Sequence, residues 1–272
     1  MSIQLIATDV DGTLMDSRHH YNQNHFRAVL DELHKRGDHF VIASGNHMGH
    51  LLKVFEGEPV DAFIAENGAQ VMVNQQTIFA KPLPRTVVHQ VVETLRNDPA
   101  FTPTTIRLSG YHGTYIEKTS RPVDRTTEQY YFNNIVPVDH LSSVTDSFYK
   151  VNAEWAGIDV ANLATQLNAQ FPNQIHAMPS GFGSMDIVSK GINKATGLQQ
   201  LAAYWHLIPD QMMAFGDNGN DLEMLASVGL GVAMQNGTLA TKEIANQVTL
   251  ADNNHDGELK LIDELLANGT IH

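Results

Sequence analysis

The sequence predicts an α/β protein: a Rossmann-like core on a parallel sheet, interrupted by an inserted α+β domain. Three observations carry that prediction. Short apolar runs alternate with amphipathic stretches through the first third of the 272 residues, the same alternation returns in the last third, and the middle follows neither pattern. Strand–helix–strand units joined by short links imply right-handed crossovers and parallel pairing.

Taken in order, Ile3–Thr8 is an apolar run suited to a strand buried on both faces. Phe26, Val29, Leu30 and Leu33 recur at helical spacing, and Gly37 supplies the stop. Phe40–Ala43 reads as a second strand, Leu51, Leu52 and Phe55 as the inward side of a helix, and Ala62–Ala65 as a third strand. Val71–Val73 and Ile78–Ala80, on either side of Asn74-Gln75-Gln76, predict a hairpin. In the last third, Ala195, Leu198, Leu201, Ala202 and Trp205 mark a helix, followed by a strand at Met212–Phe215. Leu222 and Leu225 start another helix, Leu230–Met234 forms a strand, Val248–Leu250 an edge strand, and Glu258–Ala267 a closing helix. Residues 84–188 differ, with proline-marked breaks, most of the aromatics and shorter elements. The expected organisation is a core of residues 1–83 and 189–272 with 84–188 inserted as a second domain, both of ordinary size.

Composition narrows the function. Lys+Arg total 17 against 30 Asp+Glu, a net charge of −13 with no basic run, which repels a phosphodiester backbone and argues against nucleic-acid partners. At 42% hydrophobic and 17% charged the chain can bury a core. It has no cysteine, which removes disulfides, thiolate metal sites and cysteine nucleophiles. No apolar run approaches the roughly 20 residues that cross a bilayer, and the first residues lack a basic leader region. The expectation is a cytoplasmic protein without a membrane partner; the sequence does not set its oligomeric state.

The strongest local signal is Asp9-Val10-Asp11-Gly12-Thr13-Leu14, placed directly after the first strand. Ligands bind at that edge of open parallel sheets. Two carboxylates at i and i+2 repel each other unless a cation intervenes, and oxygen ligands without sulfur suit Mg²⁺. A second acidic loop, Gly216-Asp217-Asn218-Gly219-Asn220-Asp221, follows another apolar strand. Either loop alone has a plainer reading as a turn and helix cap; the two at equivalent strand ends can supply carboxylates from two sides of one ion. Ala43-Ser44-Gly45-Asn46 ends the second strand and opens a helix, a setting in which a hydroxyl and free N–H groups bind anions. Lys194 opens the helix before the second acidic loop, where the helix dipole disfavours a cation unless an anion lies close. Lys190 is read as a solvated charge. His47 and His50, spaced i, i+3, are read as a solvated helix face rather than a metal pair.

Together, Asp9-x-Asp11-Gly12-Thr13, Ser44, Lys194 and Gly216-Asp217-x-x-Asn220-Asp221 resemble, in order and spacing, the four motifs of the haloacid-dehalogenase-like (HAD) hydrolase superfamily. The insert resembles the C2-type cap of its Cof-like branch, as do Glu66-Asn67-Gly68-Ala69 and Asp252-Asn253-Asn254-His255-Asp256-Gly257. The Ala43-Ser44-Gly45-Asn46 and Ser180-Gly181-Phe182-Gly183 stretches are similar to those of bacterial sugar phosphatases.

The resemblance implies an Mg²⁺-dependent phosphomonoesterase acting on small sugar phosphates. Asp9 would be the nucleophile that forms an aspartyl-phosphate, and Asp11 the acid and then base. Thr13 would orient Asp11. Mg²⁺ would be held by Asp9, the Asp11 carbonyl and Asp217, with Asp221 in support. Ser44, Gly45 and Lys194 would hold the phosphoryl oxygens, with Asn220 close by. Where many Cof-like members carry Thr-Gly-Arg, this chain has Ser44-Gly45-Asn46, one positive charge fewer near the pocket. Arg107, His112, Tyr115 and Phe182 are candidates for substrate contact from the cap. Two alternatives share the motifs: a phosphorylatable Mg²⁺-binding switch, disfavoured because Asp11 would hasten loss of the phosphoryl group, and a phosphosugar mutase.

Overall fold

The computed structural model describes residues 3–121, 131–132, 134–181 and 183–271. Contacts gather the chain into two compact units: Met1–Ser44, Phe55–Phe79 and Asn193–His272 form the first, Gly45–Val54 and Ala80–Ile192 the second. The second unit therefore begins at 80 rather than 84 and ends at 192 rather than 188, and it takes in residues 45–54. The packing explains the shift. Leu83 joins the second unit's core, the Ile192 carbonyl meets the His176 ring at 3.2 Å, and the His47 ring meets the Gly110 carbonyl at 2.9 Å. Among the described residues, no helix is long and apolar enough to cross a membrane.

The first unit is built on an eight-stranded sheet. Its strands, numbered along the whole chain, are β1 (Leu5–Thr8), β2 (His39–Ala43), β3 (Ala62–Ala65), β4 (Gln70–Val73), β5 (Gln76–Ala80), β12 (Met212–Gly216), β13 (Leu230–Ala233) and β14 (Gln247–Val248). They lie in the order β14-β13-β12-β1-β2-β3-β4-β5. Pairing is parallel from β14 to β3 and antiparallel between β3 and β4. The predicted hairpin is present, and Asn74 and Gln75 at its tip both have positive φ (48° and 62°), as a tight two-residue turn requires. Helices at Gln23–Arg36 and Lys194–Trp205 follow the predicted stripes. Leu5 and Ala7 share a core with Leu198 and Leu201, while Phe26 packs edge-on against Phe40 at 5.3 Å. The edge strand is shorter than expected and starts one residue earlier: Thr249 still donates to the Ala233 carbonyl (3.0 Å), but the chain then turns and leaves Leu250 exposed. Ile3, expected to open β1, instead makes an isolated bridge to Ile271.

The second unit carries a six-stranded sheet of β6 (Thr105–Gly110), β7 (Thr114–Glu117), β8 (Ile135–Val138), β9 (Phe148–Glu154), β10 (Ile175–Gly181) and β11 (Ser184–Ser189). Its order is β10-β11-β9-β6-β7-β8, antiparallel except for β7–β8. Alternation sorts its faces. Leu108, Val151 and Ile187 enter a core with Val88, Val91 and Leu95 of the helix Arg85–Asn97 and Leu167 of the helix Ala161–Gln170. Arg107, Lys150, Asn152 and Asp186 occupy the opposite face and are buried. The chain is thus an α/β protein: a Rossmann-like core with an α+β cap domain inserted.

Candidate active site

Parallel register fixes where the functional loops emerge. Thr8 pairs with Phe215 on one side and Ile42 on the other, so β1, β12 and β2 end at one level. The chain runs from β1 through β2 to β3 in one direction and from β12 through β13 to β14 in the other. This reversal beside β1 is where ligands bind in open α/β sheets. Asp9 continues the ladder with its N–H donating to the Phe215 carbonyl (3.1 Å), and the Ser44 N–H donates to Ile64 (2.8 Å).

Two carboxylates meet there on one lysine, and a third lies beside them. Lys194, fully buried at the start of its helix, donates from Nζ to Asp9 Oδ1 (2.5 Å) and to Asp221 Oδ1 (2.7 Å). These are the anions that offset the helix dipole at that position. Asp221 Oδ2 accepts from the N–H groups of Asp217 and Asn218, both at 3.0 Å, so it closes its own loop while anchoring the lysine. The Thr13 hydroxyl donates to Asp217 Oδ1 (3.0 Å). This contact ties the first acidic loop to the second. Gly12 permits the approach. Its φ is +85°, and a Cβ there would stand 2.6 Å from Asp217 Oδ2.

Electrostatics show an unbalanced charge. Burial pushes the Asp9 carboxyl well above its usual range, Lys194 pulls it back, and Asp221 and Asp217 push it up again. Asp217 is pushed up to about 6, chiefly by burial and then by Asp221. Burial would lower Lys194, but the Asp221 and Asp9 carboxylates outweigh it and hold the ammonium charged. One carboxylate oxygen from each of Asp9, Asp217 and Asp221 lies within 4.8 Å of the others. With both Asp221 oxygens engaged, Asp9 and Asp217 retain ligand capacity. Crowded oxygen donors short of positive charge fit a hard divalent cation such as Mg²⁺.

Two further motifs buttress the loops. Asn67, at φ 54°, donates its N–H to the Ser44 carbonyl (3.0 Å) and accepts from Asn220 Nδ2 (3.0 Å). A Cβ on neighbouring Gly68 would stand 2.0 Å from the Asn193 carbonyl, so only glycine lets this loop meet the start of the Lys194 helix. On the other side, Asn236 Nδ2 donates to the Gly12 carbonyl (2.7 Å), Asn253 N–H to Asn236 Oδ1 (3.1 Å) and Asn253 Nδ2 to the Met15 carbonyl (2.7 Å).

Asp9, Thr13, Lys194, Asp217 and Asp221 are therefore linked in one cluster of contacts. Asn220 is held by Asn67, and Ser44 joins the same loop through its backbone. Asp11 is half-buried and faces the ring of His19 at 3.4 Å, a contact the sequence reading missed; the Asp11 carboxylate raises the His19 pKa. Asn67 and Asn236 were also missed as linkers, since only their contacts reveal them. In the second unit, Gly45 follows Ser44 directly, and its carbonyl accepts from Lys150 Nζ (2.5 Å). Arg107 donates to Asn152 (3.0 Å) and Glu154 (2.9 Å). His112 and Tyr115 both meet Asp146, and Phe182 lies outside the described residues. His47 and His50 are buried, not solvated: His47 contacts the Gly110 carbonyl through one ring nitrogen and accepts from the Gly49 N–H through the other (3.0 Å). Lys190 is exposed, as expected.

The model of the haloacid dehalogenase-like hydrolase family matches residues 6–262. The chain belongs to that family. It is 32% identical over 267 residues to the 5-amino-6-(5-phospho-D-ribitylamino)uracil phosphatase YbjI of Escherichia coli K12, covering 98% of this chain and 97% of the relative. The Bacillus subtilis phosphatase YitU, of the same printed activity, is 26% identical and covered to 96% on both sides. The crystal structure of SMU.1108c from Streptococcus mutans superposes with a TM-score of 0.92 at 30% identity, covering 98% of this chain and 100% of that one. This chain is a phosphatase of the Cof-like branch, a phosphoric monoester hydrolase.

Proposed function

We propose that the enzyme is an Mg²⁺-dependent phosphomonoesterase of small sugar phosphates that works through a phosphorylated Asp9. The observation that carries this reading is the placement of Asp9: it directly follows β1 with Oδ1 held by Lys194, beside Asp217 across the Thr13 and Gly12 contacts. When bound by Asp9, the Asp11 carbonyl and Asp217, Mg²⁺ would neutralise charge on carboxylate and phosphate. Asp9 attacks phosphorus through the oxygen not held by Lys194, a P–O bond forms, and the bond to the sugar oxygen breaks. Asp11 gives its proton to that oxygen. Asp11 then takes a proton from water, the water oxygen attacks phosphorus, and the P–O bond to Asp9 breaks, which restores the Asp9 carboxylate and releases phosphate. Ser44, the Gly45 N–H and Lys194 hold the phosphoryl oxygens, and Asp221 and Asn220 keep the loop in place. Positioning and charge neutralisation are the main devices in phosphoryl transfer.

The second unit, which includes residues 84–188, acts as a C2-type cap that selects the leaving group. The two relatives named for a phosphorylated ribityl chain make polyol and sugar phosphates the first substrates to try. The partner this reading calls for is a diffusible cytoplasmic metabolite, not a nucleic acid or a membrane.

Phosphate release across sugar phosphates, 5-amino-6-(5-phospho-D-ribitylamino)uracil, nucleotides and p-nitrophenyl phosphate, with Mg²⁺ or EDTA, tests the reading. Release from sugar or polyol phosphates that EDTA abolishes is expected. Activity confined to nucleotides, or unaffected by EDTA, would overturn the substrate or the metal assignment respectively.

A further inference from the structure

Thr8, the last residue of β1, is fully buried, and its hydroxyl oxygen lies 2.7 Å from the Asp9 carbonyl oxygen and 2.7 Å from Glu258 Oε2. A hydroxyl has one proton, and a carbonyl oxygen only accepts. Both short contacts are full hydrogen bonds only when Glu258 Oε2 donates to Thr8 Oγ1 and Thr8 donates onward to Asp9. The surroundings of Glu258 agree. It is 1% exposed, its Oε1 is buried without a hydrogen-bond partner, and among the described residues it makes no ion pair with Lys, Arg or His. A buried carboxylate with one hydroxyl for company is far costlier than a neutral carboxylic acid with an idle carbonyl oxygen. Burial accordingly pushes Glu258 up to about 8.

We infer that Glu258 is a positioning residue for Asp9: as a neutral acid it aims the Thr8 hydroxyl at the Asp9 carbonyl. The inference rests on the reading of Asp9 as nucleophile. Docking of the last helix, Gly257–Ala267, does not need a carboxyl at 258, because Leu259, Leu261, Ile262 and Leu265 are all buried there. Asp9, by contrast, leaves a strand end, where backbone groups lose their ladder partners. Its N–H is tied to Phe215 and its carbonyl to Thr8. Both polar groups of one peptide-bonded residue are thereby fixed, and with them the direction in which its side chain leaves the strand. Glu258 supplies the donor that keeps the second tie pointing one way.

The experiment is steady-state kinetics with p-nitrophenyl phosphate and Mg²⁺ on the full chain. Its variants are Thr8→Val, Thr8→Ser, Glu258→Leu, Glu258→Gln, the double variant Thr8→Val/Glu258→Leu, and Asp9→Asn. Losing one oriented hydrogen bond is expected to lower kcat about tenfold in Thr8→Val and Glu258→Leu, with KM within about twofold. Thr8→Ser keeps the hydroxyl and Glu258→Gln keeps a donor in the same place, so each retains kcat within about threefold. The double variant is expected to be no slower than Thr8→Val, because the two residues act in series.

Wild-type kcat in Thr8→Val, a Glu258→Gln variant as slow as Glu258→Leu, or multiplying losses in the double variant would overturn the inference. If Glu258→Leu fails to fold, the Thr8→Val and Thr8→Ser pair decides it. Asp9→Asn separates the two claims: turnover in that variant sinks the nucleophile, whereas a dead Asp9→Asn beside a fully active Thr8→Val sinks only the role of Glu258.

Discussion

Each unit of the molecule buries a polar cluster, and the two clusters are balanced differently. On the sheet face of the second unit, Arg107 meets Glu154 at 2.9 Å, Lys150 meets Asp186 at 3.3 Å, and Asn152 bridges Arg107 to Asp186. Among the described residues, two cations there pair with two carboxylates. At the strand ends of the first unit, among the described residues, Asp9, Asp217 and Asp221 have Lys194 as their one paired cation. Burying charge is tolerated when it is paired and hydrogen-bonded, and is expensive when it is not. A paired network needs nothing further. A cluster short of positive charge is stable only by taking up protons or a cation, and that deficit lies where the proposed catalytic site is placed.

The largest effect expected from this contrast is on Asp9. Asp9→Asn is expected to lower turnover at least ~10³-fold, as loss of a nucleophile does. It removes surplus negative charge, so the metal-free protein should be as stable as wild type or more so. Chemical denaturation without metal checks the second half, and a clear loss of stability would break the contrast. Lys194→Met works the other way. It leaves Asp9 and Asp221 buried together without a counter-charge, with an expected loss of about 3–5 kcal/mol of stability and ~10²–10³-fold in kcat, read by denaturant melts and phosphate release.

Readability from sequence follows the same divide. The first unit's sheet, its helices and the Asp9, Asp217 and Lys194 loops could be read because parallel strands buried on both faces are continuous apolar runs, and functional loops must follow their ends. Contacts between side chains were not so encoded. The bond from Thr13 to Asp217 was not foreseen, since nothing in a linear spacing says which of two acidic loops a hydroxyl will meet. His47 and His50 were expected in solvent because i, i+3 spacing gives a face but not what covers it. In the second unit only the class of fold could be foreseen. Antiparallel order and the pairing of Arg107 with Asn152 depend on contacts between residues 45 apart in the chain.

Smaller effects sharpen the comparison. Asp186→Asn leaves Lys150 without its carboxylate and should cost about 1–3 kcal/mol, the opposite sign to Asp9→Asn in the same metal-free melt. A further effect is on pH dependence. Asp217 titrates near 6 in the folded protein against a usual value of 3.8. Its raised pKa contributes stability that is complete below about pH 4 and is lost as pH rises through 6. Without metal, wild type should therefore lose stability relative to Asp217→Asn across that window. Adding Mg²⁺ at pH 7 should raise the wild-type melting temperature and leave that of Asp217→Asn unchanged. Parallel pH curves, or equal stabilisation by Mg²⁺, would remove Asp217 from the metal site.

The central claim is that one oxygen of Asp9 takes the phosphoryl group. Rapid acid quenching during turnover, followed by borohydride reduction and peptide mapping, reads it directly, because an acyl phosphate is reduced to the alcohol at the residue that carried it. The account predicts conversion at Asp9 that depends on substrate and is absent from Asp9→Asn. Undiminished turnover with Asp9 unmodified at every quench time, or conversion at a different carboxylate, would contradict it.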